Sequence, residues 1–150
     1  MARAIELAIE NVRSGRGGPF AVVIIKDDRV IAVGTNLVTS TNDPTAHAEV
    51  VAIRAACAAL GSFQLDGCDL YSTCEPCPMC LGAIYWARPR RVFFGATSHD
   101  ATEAGFDDAF IYEQISVDPA LREIPFVSMM REEALACFRE WRAKSDRVEY

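Results

Sequence analysis

Two short motifs constrain this chain more than any other feature. They are H-A-E at residues 47–49 and P-C-P-M-C at residues 76–80. A catalytic zinc ion takes three protein ligands and leaves a fourth position open for water. One imidazole and two thiolates are available here, from His47, Cys77 and Cys80. Glu49 then remains as an unligated carboxylate that can carry protons. The motifs therefore predict a site for zinc-assisted hydrolysis.

The spacing within each motif is typical of a helix start. Successive helical residues are about 100° apart, so His47 and Glu49 can converge on one substrate only from the first turn. Asn42 or Asp43 suits the N-cap and Pro44 the first helical position, which predicts a helix beginning there.

Cys77 and Cys80 are i,i+3 neighbours at a second predicted helix start, where the positive end of the helix dipole favours thiolates. Three other interpretations remain open. The C-x-x-C pair after a strand is also typical of a dithiol redox site. A non-catalytic structural zinc would need a fourth protein ligand, either Cys74 or His99. Cys74 could also replace one of the three predicted ligands, although its position indicates a buried cysteine at a strand end.

Length and charge limit the other classes of function. The chain has 150 residues and a formal net charge of −6, which predicts one domain over residues 1–150. Proteins that hold nucleic acid by its phosphates usually present a basic stripe. The only arginine cluster comprises Arg88, Arg90 and Arg91. We therefore expect a small-molecule substrate and no nucleic-acid partner.

The absence of an apolar run of about 20 residues and of a signal-peptide pattern predicts no membrane association and a cytoplasmic location.

Periodicity predicts alternating helices and strands around the motifs. The order argues for a sheet with parallel central strands and ligands at their carboxyl ends. The segment 105–112 reads as a surface or substrate loop. The predicted strands cover residues 20–25, 30–36, 69–72, 92–95 and 124–129. The predicted helices cover the N-terminal segment before Ser14, the two motif helices and residues 131–145. In the last of these helices, Leu135, Phe138 and Trp141 are predicted to face inward.

Residues 18–150 resemble the cytidine deaminase superfamily, and within it the bacterial guanine deaminases. The superfamily resemblance rests on H-A-E and E-P-C-P-M-C, which fit the H-x-E…P-C-x-x-C pattern of zinc nucleobase deaminases. The narrower resemblance rests on N-D-P-T-A-H at 42–47, L-G-A-I-Y-W-A-R-P at 81–89, A-G-F-D-D at 104–108 and a C-terminal Tyr150. It implies a three-layer α/β/α sandwich around a five-stranded mixed sheet, one Zn²⁺ per subunit, and hydrolytic deamination of guanine.

The resemblance also implies roles for particular residues. Phe20 would pack on the purine, Asn36 would hydrogen-bond it, and an aspartate of the pair Asp107 and Asp108, with Asp108 preferred, would accept a ring N–H. The backbone amide of Ala48 would face the substrate. The chain would form a homodimer in which the segment of about 131–150 is exchanged, so that Tyr150 covers the partner's active site. Without the resemblance, Phe20 reads as core, Asn36 as a turn cap and the two aspartates as solvated charges.

Other substrates remain open at this point. Cytosine, an aminotriazine or adenosine in tRNA presents an amino-heterocycle of comparable chemistry. Selectivity among such rings depends on a few hydrogen bonds, which sequence patterns do not rank.

Overall fold

The computed structural model describes residues 1–106 and 108–150. The chain forms two compact units, Met1–Asp108 and Ala109–Tyr150. In the described residues there are seven α-helices and four strands. In chain order they are α1 (Ala2–Arg13), β1 (Ala21–Lys26), β2 (Arg29–Thr35), α2 (Val38–Thr41), α3 (Ala48–Leu60), β3 (Asp69–Cys74), α4 (Pro78–Ala87), β4 (Arg91–Ala96), α5 (Ser98–Glu103), α6 (Ala109–Ser116) and α7 (Arg131–Ala143), with a 3-10 turn at Pro119–Leu121.

The sheet of the first unit is mixed, with strand order β2-β1-β3-β4. β1 is antiparallel to both β2 and β3, whereas β3 and β4 are parallel. The β1–β2 hairpin turns through Asp27 and Asp28, which both have positive φ, as a tight two-residue turn requires. The predicted hairpin and the mixed sheet are therefore confirmed. The prediction of parallel central strands is wrong, because the central pair β1–β3 is antiparallel and the parallel pair β3–β4 includes the edge strand β4.

Successive side chains of β1 point to opposite faces of the sheet, so the core has two layers. Val22 and Ile24 pack with α3 and α4 on one face of the sheet, whereas Ala21 and Val23 pack with α1 on the other. This gives the helix–sheet–helix arrangement expected of the first unit. None of the helices in the described part of the chain is long and apolar enough to cross a membrane.

The predicted fifth strand at 124–129 is wrong, because the described residues contain four strands. A strand requires a hydrogen-bonded neighbour, and this segment bonds locally instead, with the Phe126 N–H donating to the Pro119 carbonyl at 3.0 Å. Its apolar side chains are exposed, including Ile124 and Val127. An apolar β-branched run alone did not identify a strand here.

Helix boundaries differ from the prediction in three places. α3 begins at Ala48 with His47 as its N-cap, because the Asp43 carboxylate accepts the N–H and hydroxyl of Thr45 in a turn of its own. The loop predicted before the first motif helix contains α2, and the irregular stretch after β4 contains α5 and α6.

The predicted inward face of α7 is also wrong for two of its three residues. Phe138 is 61% exposed and Trp141 is 40% exposed, whereas Leu135 is half-buried. α7 itself has the predicted start, and it ends within two residues of the predicted end.

The parallel strands are joined at their start by a carboxylate shared between two arginines. Arg90 and Arg91 each donate two hydrogen bonds to Asp69 at the beginning of β3. These bonds hold the pKa of Asp69 well below its usual range. Two members of the basic cluster are thus occupied within the fold.

The close contact between β2 and α3 depends on a glycine. A Cβ built on Gly34 would lie 2.3 Å from the Ala48 carbonyl oxygen and 2.5 Å from the Ala52 nitrogen. Real Cβ atoms do not approach backbone so closely, so α3 reaches this position only because residue 34 has no side chain. The first turn of α3 lies directly over this point.

We expect Gly34→Ala to destabilise the protein by about 3 kcal/mol or more, because backbone atoms would have to move to relieve the overlap. Urea denaturation would measure the change in the free energy of unfolding. Gly82→Ala is the matched control, since a Cβ on Gly82 in α4 would meet nothing within 4 Å. It should raise stability by up to about 1 kcal/mol through helix propensity. Equal effects of the two substitutions would contradict the close-approach argument.

Candidate active site

The starts of α3 and α4 carry the predicted metal ligands. His47 and Cys77 are the N-cap residues of these helices, and both have extended backbone conformations. Their carbonyls accept the first helical hydrogen bonds, from Val51 at 3.0 Å and Leu81 at 2.8 Å. Neither side chain makes a capping hydrogen bond within the described chain. Both N-cap side chains are therefore available to a ligand.

The three predicted ligands lie together. His47 Nδ1 is 3.5 Å from Cys77 Sγ and 3.5 Å from Cys80 Sγ, and all three donor atoms lie within 4.8 Å of one another. Tetrahedral zinc with ordinary Zn–N and Zn–S bond lengths separates nitrogen and sulfur ligands by about 3.5 Å. The residues present therefore fit a zinc ion in both chemistry and spacing.

The electrostatics of the cluster favour a thiolate beside the imidazole. Hydrogen bonds with Cys80, the larger cause, and with His47 lower the pKa of Cys77 to about 4. The same contact with Cys77, together with burial, raises the pKa of Cys80. Hydrogen bonding to Cys77 also raises the pKa of His47. Thiolates are the form that binds zinc, so one ligand is already in that form near neutral pH.

Glu49 is buried next to the cluster. It is 6% exposed, and its carboxylate lies 3.3 Å from Cys80 Sγ through one oxygen and 3.3 Å from Ser72 Oγ through the other. Burial raises the pKa of this carboxyl group. A buried carboxylate beside a metal site, and outside the ligand group itself, has the position that a proton carrier needs.

The candidate fourth ligands of a structural zinc site lie outside the group. Among the described residues, only His47, Cys77 and Cys80 form such a cluster. Cys74 is the last residue of β3, is 6% exposed, and faces the Thr97 carbonyl at 3.5 Å. The interpretation of Cys74 as a buried strand-end cysteine is thus confirmed. His99 is an exposed residue of α5 that faces Glu103 at 3.7 Å.

Three of the predicted substrate residues lie close to β1, β2 and the start of α3 in the first unit. Phe20 is half-buried and packs against the core layer that contains Ala48. Asn36 is 8% exposed, and the next residue, Leu37, donates its N–H to the Ala46 carbonyl at 2.9 Å, one residue before His47. Ala48 is the fully buried first residue of α3.

The remaining predictions concern the acidic pair and the C-terminus. Asp108 is close enough for its charge to raise the pKa of His47. Asp107 lies outside the described residues. Tyr150 belongs to the second unit and is 69% exposed.

Three residues near these positions were not predicted from the sequence. Ser72 contacts Glu49, Phe106 packs edge-to-face on Phe20 with ring centroids 4.8 Å apart, and Asn11 hydrogen-bonds the Asn36 carbonyl. A signal existed only for Asn11, which is a polar residue in line with the buried positions Ala4, Leu7 and Ala8 of α1. Ser72 and Phe106 depend on contacts between distant segments.

Comparison with known proteins agrees with this geometry. A model of the cytidine and deoxycytidylate deaminase zinc-binding region matches residues 1–96, the range that holds all three candidate ligands and Glu49. The chain belongs to this deaminase family. The superfamily resemblance expected from the two motifs is thereby confirmed, and the deaminase fold accounts for helices on both faces of the mixed sheet.

Within the deaminase family, some relatives match the whole chain and others only part of it. The guanine deaminase of Bacillus subtilis strain 168 is 57% identical over 150 residues, covering 100% of this chain and 96% of the relative. A crystal structure of guanine deaminase from Bacillus subtilis superposes with a TM-score of 0.97 at 57% identity, over 99% of this chain and 95% of that chain. The tRNA-specific adenosine deaminase of Agrobacterium fabrum is 48% identical over 95 residues, covering 61% of this chain and 62% of the relative.

We expect Cys77→Ser to lower zinc affinity by more than the roughly 10- to 100-fold that loss of an outer-shell partner causes, because it removes a ligand. Cys74→Ser is the matched control, since Cys74 lies outside the ligand group, and it should retain one zinc ion per chain. Elemental analysis and competition with a chromogenic chelator would measure content and affinity. Loss of zinc from both variants would indicate that Cys74 is a ligand.

Proposed function

We propose that this deaminase hydrolyses guanine to xanthine and ammonia, with one zinc ion per subunit held by His47, Cys77 and Cys80. The observation that carries the proposal is the ligand cluster with the buried Glu49 beside it. Support for guanine in particular comes from the whole-length match to a guanine deaminase, which extends beyond the zinc-binding region.

The chain's own residues would perform most of the proton chemistry. When bound, zinc lowers the pKa of water toward neutrality, so that a nucleophilic hydroxide becomes available. Glu49 takes a proton from the attacking water as a new bond forms at C2 of guanine. It gives that proton to the ring nitrogen, then takes the proton of the hydroxyl now bonded to C2 and gives it to the amine, so that the C2–N bond breaks and ammonia leaves. Its burial keeps bulk water from competing for these protons.

The substrate contacts follow from the resemblance and from the placement of the first-unit residues. Phe20 would offer a ring face to the purine, and Asn36 would offer a hydrogen bond. Asp108 would accept a ring N–H, or Asp107 would do so. The Ala48 amide stands at the start of α3, where backbone N–H groups attract electron-rich ligand atoms.

Two other functions have specific support and specific objections. Deamination of tRNA adenosine is suggested by the tRNA-specific relative, but that match covers 61% of the chain, and the net charge of −6 disfavours a polynucleotide. A structural zinc site would require a fourth ligand, and the two candidates in the described residues face a carbonyl and a carboxylate instead.

The proposal includes a cytoplasmic homodimer with an exchanged C-terminal segment of about 131–150. Its support is the apolar surface of α7, where Phe138 and Trp141 are exposed within the single chain. Exchange would bury these side chains against a second copy. Tyr150 would then cover the purine site of the partner.

Guanine turnover tests the chemistry directly. The zinc-loaded protein should release ammonia from guanine and not from guanosine, adenine, cytosine or cytidine. Glu49→Gln should retain zinc and lose about 10²- to 10⁴-fold in kcat, the usual contribution of a positioned acid or base. The exposed Glu103→Gln variant is the matched control and should keep normal turnover.

The same experiment separates the alternatives. Ammonia from adenine or cytosine in place of guanine would reassign the substrate. Zinc binding without ammonia release from any of these compounds would favour a structural zinc site. Normal turnover by the Glu49→Gln variant would contradict the proposed role of Glu49 in proton transfer.

Complementation tests the exchanged dimer. Glu49→Gln and Tyr150→Ala should each be impaired alone. If Tyr150 acts on the partner's site, mixing the two variants by joint refolding should restore about a quarter of the sites, because half of the random dimers contain one intact site of two. If Tyr150 acts within its own chain, no site is restored and activity stays at the level of the separate variants.

A further inference from the structure

We propose that Asn11 is a positioning residue for the substrate pocket, which holds the segments bearing Phe20 and Asn36 together and so sets the affinity for the purine. The inference rests on the proposed function, since it takes Phe20 and Asn36 as substrate contacts. It concerns a residue of α1 that touches neither the zinc ligands nor Glu49.

Asn11 joins three separate parts of the chain. Its side chain is fully buried, and its amide nitrogen donates to the Asn36 carbonyl at 2.8 Å and to the Gly18 carbonyl at 3.0 Å. A side-chain amide has two N–H groups, so each carbonyl receives one. One carbonyl follows β2 and the other precedes β1. Asn11 therefore fixes the two segments relative to each other and to α1.

The two segments also depend on each other directly. The Asn36 N–H donates to the Phe20 carbonyl at 3.0 Å, so the two substrate residues are connected through the backbone. The Asn36 side-chain oxygen faces the N–H groups of Gly18 and Val38 only at 3.4 Å each. These contacts are long for hydrogen bonds. The shortest hydrogen bond to Asn36 is therefore the one that its carbonyl accepts from Asn11.

The loop before Phe20 leaves no room for adjustment at this point. A Cβ built on Gly17 would lie 2.0 Å from the Asn36 carbonyl oxygen and 3.1 Å from the Asn11 side-chain nitrogen. The loop thus passes directly against the atoms that Asn11 binds. A small change at Gly17 or at Asn11 would therefore displace Asn36.

The two ends of the Asn11 side-chain amide differ in how well they are paired. Within the described part of the chain, the Asn11 side-chain oxygen is buried without a hydrogen-bond partner, which is unfavourable in a protein interior. Its neighbours on the buried face of α1 are Ala4, Leu7 and Ala8. An apolar residue would avoid the unpaired oxygen but would remove the donor from the Asn36 and Gly18 carbonyls, so the value of Asn11 lies in its two N–H groups.

The first test is the kinetics of Asn11→Leu, which keeps a side chain of similar size and removes both donors. We expect KM for guanine to rise about tenfold or more, as misplaced binding groups cause, with kcat within about threefold of the wild-type value. Leu7→Ala is the matched control, because it also alters a buried residue of α1 and lies outside the hydrogen-bond network. It should lower the melting temperature and leave KM unchanged. An unchanged KM in Asn11→Leu, or an equal rise in Leu7→Ala, would overturn the inference.

A second measurement does not depend on activity. The exposed Arg16 precedes Gly17 in the same loop, so trypsin cleavage after Arg16 reports release of the loop in the folded protein. Cleavage should accelerate in Asn11→Leu relative to cleavage at Lys26 in the β1–β2 hairpin, and not in Leu7→Ala. Gly17→Ala places a Cβ against the Asn36 carbonyl that Asn11 binds, and so displaces it without changing Asn11. This variant takes the place of Asn11→Leu if Asn11→Leu does not fold.

The outcomes distinguish the two proposals. A wild-type protein that does not deaminate guanine would reject the proposed function, while the cleavage ratio would still decide whether Asn11 holds the loop. Normal guanine turnover with equal cleavage ratios in wild type, Asn11→Leu and Gly17→Ala would reject the role of Asn11 and leave the proposed function intact.

Discussion

The close contact of α3 with β2 is the constraint on which the rest of the site depends. Gly34 brings the Ala48 carbonyl and Ala52 against the strand, and this places the start of α3 over the end of the sheet. His47 and Glu49 then face the start of α4 on the neighbouring part of the same layer. With a side chain at position 34, the helix would stand further from the sheet and the three ligand atoms would not meet.

Placing two helix starts together has an electrostatic consequence. The positive ends of the dipoles of α3 and α4 point at the ligand cluster, and they favour the thiolate form of Cys77 and Cys80. The pKa of Cys77 is already lowered to about 4 by its hydrogen bonds with Cys80 and His47. The charge of a zinc ion would remove the second proton as well. The fold thus prepares one anionic ligand, Cys77, and Glu49 lies beside the cluster with one oxygen facing Ser72 and the other facing Cys80.

How much could be predicted from the sequence depends on the distance over which each feature is determined. The spacing within each helix start fixes the pairs His47 with Glu49 and Cys77 with Cys80, and the known motif that combines the two pairs predicted that they meet. The start of α3 was not, because Asp43 caps a turn through Thr45 instead of the helix. The prediction of a strand at 124–129 was wrong because a strand needs a hydrogen-bonded neighbour from a distant part of the chain, and the local pattern does not show whether one exists. Phe138 was predicted inward from amphipathic spacing, which identifies an apolar face and not what covers it.

The same distinction separates catalysis from substrate choice in this family. The zinc ligands and Glu49 lie at helix starts packed against the sheet, and over that region the chain matches both a cytidine and deoxycytidylate deaminase model and a guanine deaminase. The proposed purine contacts lie at loop ends, where backbone hydrogen bonds and buried side chains such as Asn11 determine position. Loops tolerate change more readily than packed helices. A deaminase can therefore acquire a new substrate by altering these few supports, while the charged cluster that performs the hydrolysis stays constant.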